Sequence, residues 1–133
     1  MLRFMPIAIA AFALAACVPD KTDETVSGYT KPDAEYHLVT LNGVEFTQEA
    51  TIQFPEEGKV TGRGPCNGYS ATQNTYYPWF ELGPILASRR TCPEQSAESV
   101  FFLSLRHMSF AEVSGDILLL TGEGGREMTF EAR

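Results

Sequence analysis

Thr61-Gly62-Arg63-Gly64-Pro65-Cys66-Asn67-Gly68-Tyr69-Ser70 and, further along, Ser88-Arg89-Arg90-Thr91-Cys92-Pro93 are the stretches whose reading decides the fold. Glycines, a proline and an asparagine crowd around Cys66. Glycine reaches positive φ at no steric cost and proline locks φ, so Gly64, Pro65, Asn67 and Gly68 read as a fixed, sharply turning structural loop. Asn67, between Cys66 and Gly68, is expected to take the left-handed conformation and bond its side chain to nearby backbone. The second stretch opens a helix. Thr91 and Glu94 have capping-box spacing, and Pro93 falls in the expected first turn, where its missing N–H costs nothing. Ala97, Phe101, Leu105 and Met108 follow at helical spacing and read as the core-facing stripe.

The N-terminus reads as a processing signal. Arg3 precedes an apolar run from Phe4 to Ala13, too short to span a bilayer core, and Leu14-Ala15-Ala16-Cys17 follows. Small residues directly before a cysteine resemble a bacterial lipobox, so residues 1–16 are expected to be removed and Cys17 lipidated. The other reading is an ordinary secretory signal with an incidental cysteine. Residues 17–34, polar and aperiodic with two prolines, are expected to form a disordered tether, leaving 35–133 as the folded domain.

Without Arg3, nine basic residues stand against seventeen acidic ones, a net charge of −8. The acids are scattered, with Glu94 and Glu98 on the helix, and read as a solvated face. This balance disfavours nucleic acid and anionic lipid headgroups, both of which demand a basic surface. With Cys17 lipidated, Cys66 and Cys92 remain. In an oxidising exported compartment such a pair reads first as a disulfide.

Strand signals surround the central loop. Tyr36 to Leu41 leads into Asn42-Gly43, the strongest short hairpin signal, and Val44 to Phe46 returns. Thr51 to Phe54, the turn Pro55-Glu56-Glu57-Gly58 and Lys59 to Thr61 come next. Ala71 to Tyr77 is rich in strand formers, and Trp79 to Leu82 alternates. After the helix, Phe110 to Val113 and Ile117 to Thr121 flank Ser114-Gly115-Asp116, and Met128 to Phe130 closes the chain. Many short strands and one helix make an α+β domain. Its antiparallel sheet is curved and partly barrel-like, with the α-helix after the second domain cysteine.

The motifs Gly62-Arg63-Gly64-Pro65-Cys66-Asn67-Gly68-Tyr69-Ser70 and Phe80-Glu81-Leu82-Gly83-Pro84 resemble the META domain family (HslJ-like). So do Ser88 to Pro93 and a helix with Glu98, Phe101-Phe102 and Leu105. The resemblance runs from about Tyr36 to Phe130, with Tyr36 where the family usually has tryptophan. It implies a bacterial envelope lipoprotein or secreted protein without an established reaction, linked to stress, antibiotic resistance or secretion. It also implies that Cys66, Asn67 and Cys92 are architectural.

The chemistry weighed beside this is thin. A nucleophilic Cys66 needs a base, and neither His37 nor His107 sits in a motif that orients an imidazole toward a thiol. A zinc site from Cys66, Cys92 and these histidines lacks ligand spacing, so neither metal nor cofactor is expected. Arg89-Arg90 beside a helix start offers an anion site that at most one arginine serves. The cluster of Tyr69, Tyr76, Tyr77, Trp79 and Phe80 offers a binding face. Tyr69, Tyr77, Trp79 and Arg89 are therefore the candidate binding surface.

The function expected is non-enzymatic binding or stabilisation of envelope components. The lipid on Cys17 would anchor the domain to a membrane, the Val18 that follows favouring the outer one, facing the periplasm. A protein partner there is of unknown identity, and no nucleic acid is expected. The alternatives are a thiol-dependent enzyme using Cys66 and a small inhibitor of an envelope enzyme.

Overall fold

A computed structural model describes residues 11–13, 15 and 22–133. Among these, nine strands and one α-helix form an α+β domain. Strand β1 (Tyr36–Leu41) turns through Asn42 and Gly43, at φ 51° and 78°, into β2 (Val44–Glu45). Asparagine and glycine tolerate this left-handed pair, which matches the twist of the flanking strands. Then follow β3 (Thr51–Glu56), β4 (Gly58–Arg63), β5 (Gly68–Gln73) and β6 (Leu86–Ala87). Helix α1 (Gln95–Arg106) precedes β7 (Met108–Ser114), β8 (Ile117–Gly122) and β9 (Arg126–Ala132).

The sheet is antiparallel, in the order β6-β5-β4-β3-β1-β9-β8-β7, with β2 beside β1. It curls. The segment after β5 reaches the free edge of β7: Trp79 bridges Phe110, Phe80 N–H donates to the Ser109 carbonyl (3.0 Å), and Ala111 N–H donates to the Pro78 carbonyl (2.7 Å). Helix α1 packs Phe101 and Leu105, both without exposed surface, into the curl beside Tyr69 and Phe46. Each such side chain contributes about 1.5–3 kcal/mol through burial.

Four expectations change. The helix begins at Gln95, later than the capping box requires. Glu94 is its N-cap residue, with no side-chain cap hydrogen bond, so Thr91 does not cap it and Pro93 lies in the preceding turn. The disulfide and the Arg90 contacts described below hold the approach to the helix instead. The stripe stops at Leu105, because Met108 already belongs to β7. Trp79 to Leu82 forms no strand. Among the described residues, this stretch pairs with the sheet only through the isolated bridge at Trp79.

The fourth concerns the tether, whose second half is folded. Val26 is in the core and Thr25 is buried, within a short 3-10 turn at Val26–Gly28. The Asp23 carboxylate accepts from Thr25 N–H (2.8 Å), Thr25 Oγ1 (2.6 Å) and Ser27 Oγ. One apolar side chain and a local carboxylate cap are enough to dock a stretch with no periodicity. Tyr77 N–H donates to the Glu24 carbonyl (2.8 Å), and Lys31 pairs with Asp116. The lipidation expected at Cys17 lies outside the described residues. No helix among the described residues is long and apolar enough to cross a membrane.

Candidate functional site

The loop between β4 and β5 is pinned from three sides. Gly64 N–H donates to the Asn67 carbonyl (2.8 Å), closing the turn. Cys66 and Cys92 form a disulfide with Cα atoms 5.9 Å apart, tying the loop to the approach of α1. Glu98, one turn inside α1, is only 6% exposed and faces the loop. Its Oε2 accepts from the backbone N–H groups of Cys66 (2.7 Å) and Asn67 (2.6 Å), and its Oε1 accepts from Asn67 Nδ2 (2.7 Å). A buried charge without such donors would be very costly. The first turn of α1 adds its own favourable dipole. Gly64 is required here, because a Cβ at that position would meet Glu98 Oε2 at 2.8 Å.

Asn67, 3% exposed, uses its whole side chain. Nδ2 also donates to the Arg90 carbonyl (3.0 Å), while Oδ1 accepts from Arg90 N–H (2.7 Å) and Ser88 Oγ (3.1 Å). These partners lie over twenty residues away, and Asn67 is not among the residues of positive φ. The expectation of a left-handed, locally bonded asparagine is therefore corrected. Its amide works as a clamp between two distant segments. Glu98 is corrected too, from a solvated face to the anchor of the loop. Its position on the same helix face as Phe101, Phe102 and Leu105 was the signal available for it.

The candidate surface divides. Tyr69 is buried, donates its hydroxyl to the Thr51 carbonyl (2.7 Å) and stacks edge-on against Phe101 and Phe102. Burial pushes its phenol pKa strongly up, so it belongs to the core and not to a surface. Tyr77 is half-buried. Its ring stacks on Tyr29 with centroids 4.0 Å apart, and its hydroxyl accepts from Val113 N–H (3.0 Å). Trp79 is 62% exposed, its ring edge-on to Phe110. Arg89 and Arg90 are both exposed, and Arg90 serves through its backbone. Trp79 and Phe80 line a cleft of about 790 Å³ together with Arg106, His107, Glu123 and Arg126. His107 Nδ1 lies 2.7 Å from the Leu103 carbonyl at the end of α1.

Both domain sulfurs are consumed in one bond, which removes the zinc set considered with His37 and His107. A different group brings potential ligands together: His37 Nε2 lies 2.9 Å from Glu35 Oε1, and Nδ1 lies 3.8 Å from Glu49 Oε1. Glu35 and His37, two apart at the start of β1, share a face of the chain. Glu49 is exposed, and the arrangement is a partly solvated histidine–carboxylate contact.

The sequence profile of the META domain matches residues 30–133. The chain belongs to the META domain family. The folded unit seen here, reaching back past Thr30 to Asp23, is thus a META domain with an added N-terminal turn. No curated protein matches the chain. Among solved structures it is similar to a protein from Burkholderia xenovorans determined by NMR. That likeness has a TM-score of 0.64 at 17% identity, covering 97% of this chain and 99% of the other. It is also similar to a DUF4847 family protein from Bacteroides vulgatus determined by crystallography. Here the TM-score is 0.51 at 21% identity, over 62% of this chain and 57% of that one. At such identities the likeness concerns the fold of the META domain.

Proposed function

We propose that this META domain protein is a lipid-anchored component of a bacterial cell envelope that binds or stabilises other envelope components without catalysing a reaction. The observation that carries the reading is the contrast in how polar and aromatic groups are used. In the Cys66–Asn67–Glu98 cluster every group that could do chemistry is already engaged, and both sulfurs are oxidised. Trp79, by contrast, is held in place by its backbone bridge and leaves most of its ring in solvent. Rigid, exposed aromatic surface is the feature proteins use for contact. The Leu14 to Cys17 sequence supports attachment to a membrane, with the outer membrane's periplasmic face favoured by Val18. Attachment raises the domain's effective concentration toward its neighbours.

The test is complementation of a deletion strain under envelope stress. Trp79→Ala is expected to fail while folding normally. Full complementation by Trp79→Ala would misplace the surface. Hydrolytic or redox turnover by the purified protein, lost on changing one residue, would overturn the non-enzymatic reading itself.

A further inference from the structure

Three exposed aromatics gather where the chain enters the folded domain. Tyr29 is 52% exposed, Tyr76 64% and Trp79 62%. One turn organises them: Trp79 N–H donates to the Tyr76 carbonyl (2.9 Å), and between them Tyr77 carries Tyr29 stacked on its ring. The same Tyr77 holds the incoming chain, its N–H donating to the Glu24 carbonyl. The point of chain attachment and the aromatic patch are therefore one place.

The length of chain leading to that place limits where the patch can be. Val18 to Glu24 is seven residues, which fully extended reach at most about 25 Å. A domain of this size is itself roughly 30 Å across. Were Cys17 held at a bilayer surface, the domain could not turn its opposite face to the lipid without exhausting the tether. The face beside Glu24 would stay nearest the membrane. Tyrosine and tryptophan are the side chains suited to that depth, with an apolar ring and a polar tip.

We infer that the Tyr29–Tyr76–Trp79 patch rests on the lipid headgroup region of the membrane that carries the anchor, laying the domain on the bilayer. The inference builds on the lipid-anchor reading above and names the envelope component contacted as the bilayer interface. The contact is apolar and hydrogen-bonding in character. The three side chains carry no charge, and the cleft beside Trp79 holds charges of both signs, Arg106 and Arg126 with Glu81 and Glu123. A zwitterionic surface suffices, and anionic lipid adds nothing for a chain of net negative charge.

Trp79 is the sole tryptophan, so its fluorescence reports the patch directly. The lipidated full-length mature protein is reconstituted into phosphatidylcholine vesicles, with and without bromine on the acyl chains, and its intact mass is measured in parallel. Bromine is expected to reduce Trp79 emission about twofold, and aqueous acrylamide to quench about threefold less than in free protein, unchanged by added salt. Tyr76→Ser, at an exposed position, should roughly halve the bromine effect. If the mass shows acylation at Cys17 but Trp79 stays open to acrylamide and indifferent to bromine, the inference falls and the anchor reading stands. If the mass shows no acyl chain, both fall. Shielding of Trp79 in native membranes without bromine quenching in pure lipid would assign the patch to a protein and overturn the inference.

Discussion

The loop at Cys66 and the turn at Tyr77–Pro78 are both compact, rich in rigid residues and joined to distant strands, yet they treat their polar and aromatic groups in opposite ways. The first turns everything inward. Two backbone N–H groups, one amide and one carboxylate satisfy each other, and a disulfide locks the result. The second splits its rings, committing Phe80 to the core and leaving Tyr76 and Trp79 in solvent. A segment whose groups are exhausted internally can fix shape. One that keeps rings outside a rigid backbone can also make contacts.

The comparison is sharpest at Glu98. Glu98→Ala should leave two buried backbone N–H groups and one of the two Asn67 Nδ2 hydrogens without an acceptor, at a cost of about 4 kcal/mol. Chemical denaturation reads this directly, and a loss under 1 kcal/mol would mean that water replaces the carboxylate. Next in size is the disulfide. Cys66→Ala and Cys92→Ala should each cost about 3 kcal/mol, and the double variant little more, because both remove one constraint. Additive losses in thermal melts would show that the sulfurs act separately.

Across the molecule the effects shrink. Tyr77→Phe removes the acceptor for Val113 N–H and should cost about 1 kcal/mol while keeping the stack on Tyr29. Trp79→Ala loses only an edge contact with Phe110, about 0.5–1 kcal/mol, so any failure of function there cannot come from unfolding. The smallest effect concerns Asp23. Burial raises its pKa, but hydrogen bonds from Ser27 and Thr25 outweigh this and hold it below the ordinary carboxylate value. With the folded pKa depressed, its contribution is present above the unfolded value near 3.8 and lost as pH falls through the folded one. Amide exchange at Val26 should speed up in that acid range before exchange in β8 does.

What the sequence disclosed depended on how local the cause was. The Asn42-Gly43 hairpin was legible because two adjacent residues set its backbone, and the antiparallel α+β class followed from short strands around one helix. The disulfide was legible because Cys66 and Cys92 were the two cysteines left once Cys17 was set aside. Asn67 was visible as special but misread, since its partners Ser88, Arg90 and Glu98 lie far along the chain and no local pattern names them. Glu98 was hidden because an acid on a helix ordinarily faces water. Val26 shows the same limit, as a single buried side chain has no period. Tyr69 and Trp79 both looked like surface aromatics, and only the direction of the curl sends one inward and leaves the other outside.

The sheet order also bears on how the protein is made. Strand β1 sits between β3 and β9, so the first long strand pairs with the last, and β9 joins β6-β5-β4-β3-β1 to β8-β7 on one side while the Trp79–Phe110 bridge meets β7 on the other. Such pairing across most of the chain folds slowly, because a long loop must close before the contact forms. A nascent chain lacks this joining strand until β8 has already been made. Completion of the sheet therefore waits for β9, and until then β1 keeps one edge without its partner.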